Sequence, residues 1–434
     1  MQASGKGELT MVSSKGSEKE PWKRHPRGYA WIAVLIILAS LATTGAVSAA
    51  TPITGPITIT VPGDYYLANS IINSTAGIII AVPNVVLDGK GKIIDGVDKS
   101  GTYGIRVFNS AMTLFNVVIK NVVITDWNDG IWMSDTKNSQ IDKVTSSSNL
   151  FSGIALQNSM RNTITNSILK DNVAVGIVLY EQSNSNTLTG NTASRNGIDG
   201  IRLRYSNNND LVNNKLLDNK GPGINFDEAA NYNTVTGNTI TGNTGHGIYL
   251  SNSNSNIITK NTLKYNRNGI WIAANCVNNE IAQNTVQNST YDGIVILSNS
   301  DNNVVSANTF EKNSEAGIWL YNNNRNTIYN NLVKNNVQFG IHMETTGSNV
   351  IVNNYFYNNK NSVLISGLPA NQWNLPQSTQ KSITGGANSG GNSWGQPNGQ
   401  GFSQITPATN GICNKPYSLA TNNIDNLPLK WASK

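Results

Sequence analysis

The chain has 434 residues, a charged fraction of only 13% and a formal net charge of +6. Beyond residue 50 the balance is +3, from 25 Lys and Arg against 22 Asp and Glu, and no basic stripe is interleaved with aromatics. That argues against a nucleic-acid partner; the abundant Asn, Ser and Thr instead suit a polar, uncharged skin over a repetitive core.

Residues 1–28 are polar and basic, with Lys19, Lys23, Arg24 and Arg27 just ahead of an apolar stretch over 29–41. Small residues follow at Ala46, Val47, Ser48, Ala49 and Ala50. The pattern predicts a secretory signal cleaved near Ala49 or Ala50. An uncleaved membrane anchor over 29–50 is the alternative, since that length just spans a bilayer. In both cases the positive flank stays inside, so the rest of the chain is extracellular or on the cell surface. Membrane contact is then expected only through this segment.

Residues 51–76 read as an N-terminal cap and Gly77 to Gly89 as a first, irregular coil. From Gly104 to Gly340 a Gly-Ile pair recurs eleven times at intervals of 22 to 26 residues, the mark of a solenoid with one small unit per turn. Each unit opens with an alternating Gly-Ile-x-Φ strand and continues with Asn residues five apart, as at Asn256, Asn261 and Asn266. Three apolar-centred stretches separated by Asn or Gly corners describe three strands per turn, because these residues tolerate left-handed backbone angles. Stacked at about 4.8 Å, equivalent Asn side chains would form ladders. The prediction is an all-β fold: a right-handed, three-sided parallel β-helix solenoid of about 12 coils over 77–367. After Gly367 the composition shifts to Gly, Ser, Asn, Gln and Pro, and 368–434 reads as a C-terminal cap or tail. Its aromatics, Trp373, Trp394, Phe402, Tyr417 and Trp431, are suited to covering an open edge. Cys276 and Cys413 are the only cysteines, and a bridge pinning tail to coil stack stays open.

In each Gly-Ile strand the Ile and the residue two later point inward, from Val107 to Met343, and the residue between them points outward. The outward column includes Arg106, Trp132, Arg202, Tyr249, Trp271, Trp319 and His342; the next adds Tyr180, Arg204, Asp227, Tyr321 and Glu344. Exposed Trp and Tyr stack on sugar rings and Arg grips carboxylates. Tyr249, Trp271, Trp319, Tyr321, Arg202 and Arg204 are therefore the candidate carbohydrate-binding residues of a monomer that binds a polysaccharide or cell-envelope glycan. Aromatics that merely cover the sheet beneath the tail are the alternative.

The candidate catalytic centre is Asp199, Arg202, Arg204, Asp227, Glu228 and His246 on neighbouring coils. Arg204 and Asp227 are one coil apart, which fits a salt bridge, while Asp199 and His246 are two coils, roughly 10 Å, apart. No cofactor is called for. His246 and His342 fall about 19 Å apart on the same spacing, and Met343 faces away from His342, so no metal site is expected.

The segments ITVPGDYYLANSI and VVLDGKGKIIDG, the Gly-Ile repeats and the tail GGNSWGQPNGQGF to NNIDNLPL resemble the parallel β-helix family named for the NosD-like periplasmic copper-binding protein. That family overlaps the domains of carbohydrate-binding proteins and sugar hydrolases, and the resemblance implies an archaeal-type secreted or surface protein. It leaves open glycan binding, a lyase, epimerase or hydrolase on the same face, a passive scaffold or adhesin, and a copper-related periplasmic role. The family's acidic calcium-type loop has no counterpart in residues 406–414, which lack carboxylates.

Overall fold

The computed structural model describes residues 49–364 and 368–434. The signal or anchor segment read from the sequence therefore lies outside the described residues, apart from Ala49 and Ala50. Among the described residues no helix is long and apolar enough to cross a membrane.

Among the described residues three long parallel sheets run along the coil stack, two of fourteen strands and one of thirteen. This is the three-sided parallel β-helix the repeat predicts. The sheet built on the Gly-Ile strands runs from Ile57–Ile59 to Ser362–Leu364 and carries strands such as Ile201–Arg204, Ile224–Asp227 and Ile270–Ile272. Most strands of the other two sheets are only three residues long, with a buried middle residue between two more exposed ones, as in Asp210–Val212. The inward column of the Gly-Ile sheet is dry: Leu203, Phe226, Leu250, Ile272 and Leu320 are all fully buried. Burying a side chain of this size stabilises by roughly 2 kcal/mol, and the stack repeats that gain coil after coil.

The Asn ladders have a different geometry from the simple corner reading. The left-handed residue at each corner is the one before the ladder Asn: Asn208, Asn213 and Asp218 have φ of 57°, 54° and 56°. Tyr205, Lys260 and Arg325 also occupy left-handed positions, so residue type is loosely constrained there. The ladder Asn itself turns inward and is buried, as at Asn209, Asn214 and Asn219. Its side-chain oxygen accepts both the backbone N–H and the side-chain N–H of the Asn one coil earlier. Asn238 Oδ1, for example, accepts from Asn214 N at 2.8 Å and Asn214 Nδ2 at 3.0 Å. Each Asn thus satisfies polar groups at a bend where no sheet hydrogen bonds reach.

The segment 51–76 contributes strands to two of the sheets, Thr51–Ile53 and Ile57–Ile59 among them. At the other end, Ser393–Gly395 extends the thirteen-stranded sheet past Tyr355–Tyr357. Trp394 stacks on Phe356, centroids 4.7 Å apart, and Trp373 is buried beside it. The tail also ends the ladders: Asn349 passes to Asn371 and Asn423, and Asn354 to Asn392 and then Asp425. Its hydrogen bonds to the coils reach the last turns, at Thr346, Asn353 and Asn359. Cys276 lies inside the coil stack and Cys413 in the tail; both are buried free thiols, so no bridge joins them.

Candidate functional site

The outward face of the Gly-Ile sheet is recessed rather than flat. Ala155, Val178 and Val295, which point outward by strand alternation, are buried, and Arg202, Tyr249, Trp271 and Trp319 are half-buried. The reason is local. The side chain just before the glycine lies beside the outward column, as Asp199 against Arg202 and Asn225 and His246 against Tyr249 and Trp271. Phe151, Ile198 and Tyr291 form exposed points on the rim.

The middle of the face carries the candidate catalytic residues, and the structure divides them into separate groups. Asp199 is fully buried and its Oδ2 accepts from Arg202 Nε at 2.5 Å and from Asn225 Nδ2 at 3.0 Å. Burial pushes its carboxyl above the ordinary range, against the opposing pull of Arg202. Arg204 and Asp227 are register partners across neighbouring strands, yet the salt bridge expected between them is not made. Arg204 pairs instead with Glu228, at 2.8 Å, and Glu228 also accepts from the Tyr205 hydroxyl. The chain turns left-handed at Glu228 (φ 46°), which swings its side chain back toward Arg204.

His246 belongs to neither group. Its ring is tilted against Trp271 at 4.6 Å and stacked with Tyr249 at 5.7 Å. Asn268 Nδ2 lies 3.3 Å from Nδ1. Burial, helped by the charge of Arg267, lowers its pKa to about 4. The imidazole is therefore neutral at pH 7 and acts as a third aromatic surface. Farther along, Trp319 stacks on His342, and Tyr321 meets Trp319 edge-on. His342 Nε2 is 2.9 Å from Glu344 Oε1. Of the six candidate binding residues, Tyr249 and Trp271 form one aromatic group and Trp319 and Tyr321 another, with Val295 between Trp271 and Trp319. Arg202 and Arg204 are each occupied by a carboxylate.

A cluster missed in the sequence lies nearer the N-terminal end. Arg106 sits among Tyr103, Phe108 and Trp132, its guanidinium carbon 5.3, 4.4 and 4.9 Å from their ring centroids. The signal was present: Tyr103 in the strand Tyr103–Val107 and Phe108 just past it flank Arg106, and Trp132 is its register partner on the next coil.

The fold defines the chain as a parallel β-helix solenoid with a recessed aromatic and polar face. The family described as "Periplasmic copper-binding protein (NosD)" matches residues 83–267 and 243–399, and the chain belongs to it. A comparison with curated protein sequences returned no match. Among solved structures, the Azotobacter vinelandii mannuronan C-5 epimerase AlgE6 A-module shares 14% identity over 72% of this chain and 90% of its own, with a TM-score of 0.48. The periplasmic alginate epimerase AlgG gives 15% identity over 72% and 78%, TM-score 0.43. The Dettilon tailspike protein gives 13% over 71% and 61%, TM-score 0.41.

The family description raises the question of copper, which needs soft or imidazole donors that converge. Cys276 Sγ is locked in the core, near Ser253 N and Ala274 O, and burial raises its pKa to about 11. Met133 and Met343 are core residues, and His342 is engaged by Glu344. Among the described residues no three His, Cys, Asp or Glu side chains are placed to hold a metal ion. Among the described residues these donors do not fit a copper site.

Proposed function

We propose that this chain is an envelope or secreted β-helix protein that binds an extended polysaccharide along the outward face of its Gly-Ile sheet. The observation that carries the reading is the pair of aromatic groups, Tyr249–Trp271 with His246 and Trp319–Tyr321 with His342, each built on a half-buried tryptophan and set in line along the solenoid axis. Rings fixed by their neighbours stack on a sugar at little entropic cost. The tail does not explain them, because its stacking partners are Phe356 and Tyr357 at the end of the stack. A periplasmic or extracellular location agrees with the family description.

The test is affinity electrophoresis of the purified protein through gels cast with acidic and neutral polysaccharides. Selective retardation by a polymer, lost in the Trp271→Ala/Trp319→Ala double variant with an unchanged melting temperature, is the expected result. Equal retardation of variant and wild type would overturn the assignment to this face. Incubating the retained polymer with the protein and sizing it then asks whether binding is accompanied by cleavage.

A further inference from the structure

We propose that Arg106 and its aromatic frame form a carboxylate-reading subsite on this face, which makes the ligand a uronate-containing, acidic glycan. The inference rests on the glycan reading above and adds the chemical class of the polymer.

Three arginines stand on the outward columns of this sheet. Arg202 is neutralised by buried Asp199, and Arg204 by Glu228. Arg106 has no carboxylate partner among the described residues, and its buried Nε has no hydrogen-bond partner. The acid on the neighbouring coil is already engaged. Asp129 Oδ1 accepts the Ser152 N–H and hydroxyl, and Oδ2 accepts Asn128 Nδ2 at 2.7 Å. A cation held at a half-buried site without a partner is a standing demand for an anion.

The frame also fixes the guanidinium. Trp132 stacks on Tyr103, centroids 5.2 Å apart. Its Nε1 donates to the Tyr180 hydroxyl at 2.9 Å, two coils further on. That reach is open because Ala155, its register partner between them, is small. The three rings thus surround the guanidinium at cation–π distances. With Nε buried, the outer Nη pair is the edge that can meet a carboxylate with two parallel N–H···O bonds. Trp132 and Tyr103 beside it supply an apolar surface for the sugar ring that carries the acid.

The experiment compares retardation of the full chain by polygalacturonate with retardation by the same polymer methyl-esterified, which keeps the sugar chain and removes the charge. Wild type is expected to prefer the acidic form at least tenfold in apparent affinity. Arg106→Gln is expected to bring the two forms within about twofold, with melting unchanged and binding of the esterified polymer retained. Arg106→Lys, which keeps the charge but not the fork, is expected to fall between. Undiminished acid preference in Arg106→Gln, or wild-type retention by neutral polymers alone, would overturn the subsite while leaving the glycan reading standing. Retention by no polymer in either form or in the wider panel would overturn both.

Discussion

Asp199 and Pro222 occupy equivalent positions on adjacent coils, each immediately before a Gly-Ile pair. That relationship leaves Asp199 Oδ1 without a hydrogen-bond partner. At the same repeat position, Asp129 Oδ1 accepts the N–H of Ser152 and Asp292 Oδ1 the N–H of Ala316, each one coil on. Proline has no N–H to offer. Asp199 Oδ1 also lies over Gly221, 2.7 Å from where a Cβ would stand, so only glycine leaves it room.

Pro222→Ala therefore restores the donor the repeat otherwise provides. A satisfied buried oxygen contributes about 1–3 kcal/mol, and loss of proline's restraint on the unfolded chain costs about 0.4–1 kcal/mol. The variant is expected to be more stable by about 1 kcal/mol in chemical denaturation, whereas Gly221→Ala is destabilised. A destabilised Pro222→Ala would show that the orphaned oxygen is satisfied in some other way.

Two buried carboxyls make stability depend on pH in an unusual direction. Burial raises Asp292 and Asp425 to about 7, well above an unfolded aspartate near 4. Between about pH 4 and 7 the folded chain holds protons that the unfolded chain has released. Stability from these groups therefore falls as pH rises through that window and levels off above it, at up to about 1.4 kcal/mol per pH unit for each group. Asp292→Asn and Asp425→Asn should each flatten the slope of unfolding free energy between pH 4.5 and 7. A slope identical to wild type in both variants would contradict these protonation states.

Removing one rung of an Asn ladder exposes how much it holds. Asn238→Ala strips Asn214 of the acceptor for two N–H groups and removes the Nδ2 donor to the Leu211 carbonyl, while Asn261 Oδ1 keeps the backbone N–H of residue 238. With about 1–3 kcal/mol for each buried group left unpaired, a loss of about 3 kcal/mol or more is expected. The exposed corner residue Asn252 has φ 46°, and Asn252→Gly should change stability by only a few tenths of a kcal/mol. Urea midpoints of the two variants decide the matter.

His246, with its pKa lowered to about 4, is neutral from pH 5.5 to 8 and contributes a ring rather than a charge. Glycan retention should thus be flat in pH as far as this residue is concerned. His246→Phe should keep affinity within about twofold, and His246→Ala should weaken it severalfold. Equal losses in both variants would point to the imidazole nitrogens, not the ring.

The spacing of Gly and Ile was enough to read the winding, because a strand that must face the core once per turn has to repeat its apolar residues in sequence. The buried column from Val107 to Met343 was legible for the same reason, each residue lying two positions past an Ile. Pairing on the outer face was not. Alternation puts Arg204 opposite Asp227, but the left-handed turn at Glu228 redirects the next carboxylate to it. The Arg106 cluster left a signal in the spacing of Tyr103, Phe108 and Trp132, but the convergence of three rings from two coils on one guanidinium is set by side-chain placement.

What the sequence by itself determined is periodic: coil length, three strands per turn, Asn ladders and which residues enter the core. Stacking converts sequence period directly into position, so these needed no coordinates. What only the tertiary structure decided is everything set by side chains meeting between coils. It made the outward face recessed, separated Asp199 and His246 into an ion pair and an aromatic stack, and capped the ladders with Asn392, Asn423 and Asp425. Those outcomes turn on corner geometry and burial, and residues at the same repeat position meet different neighbours on every coil.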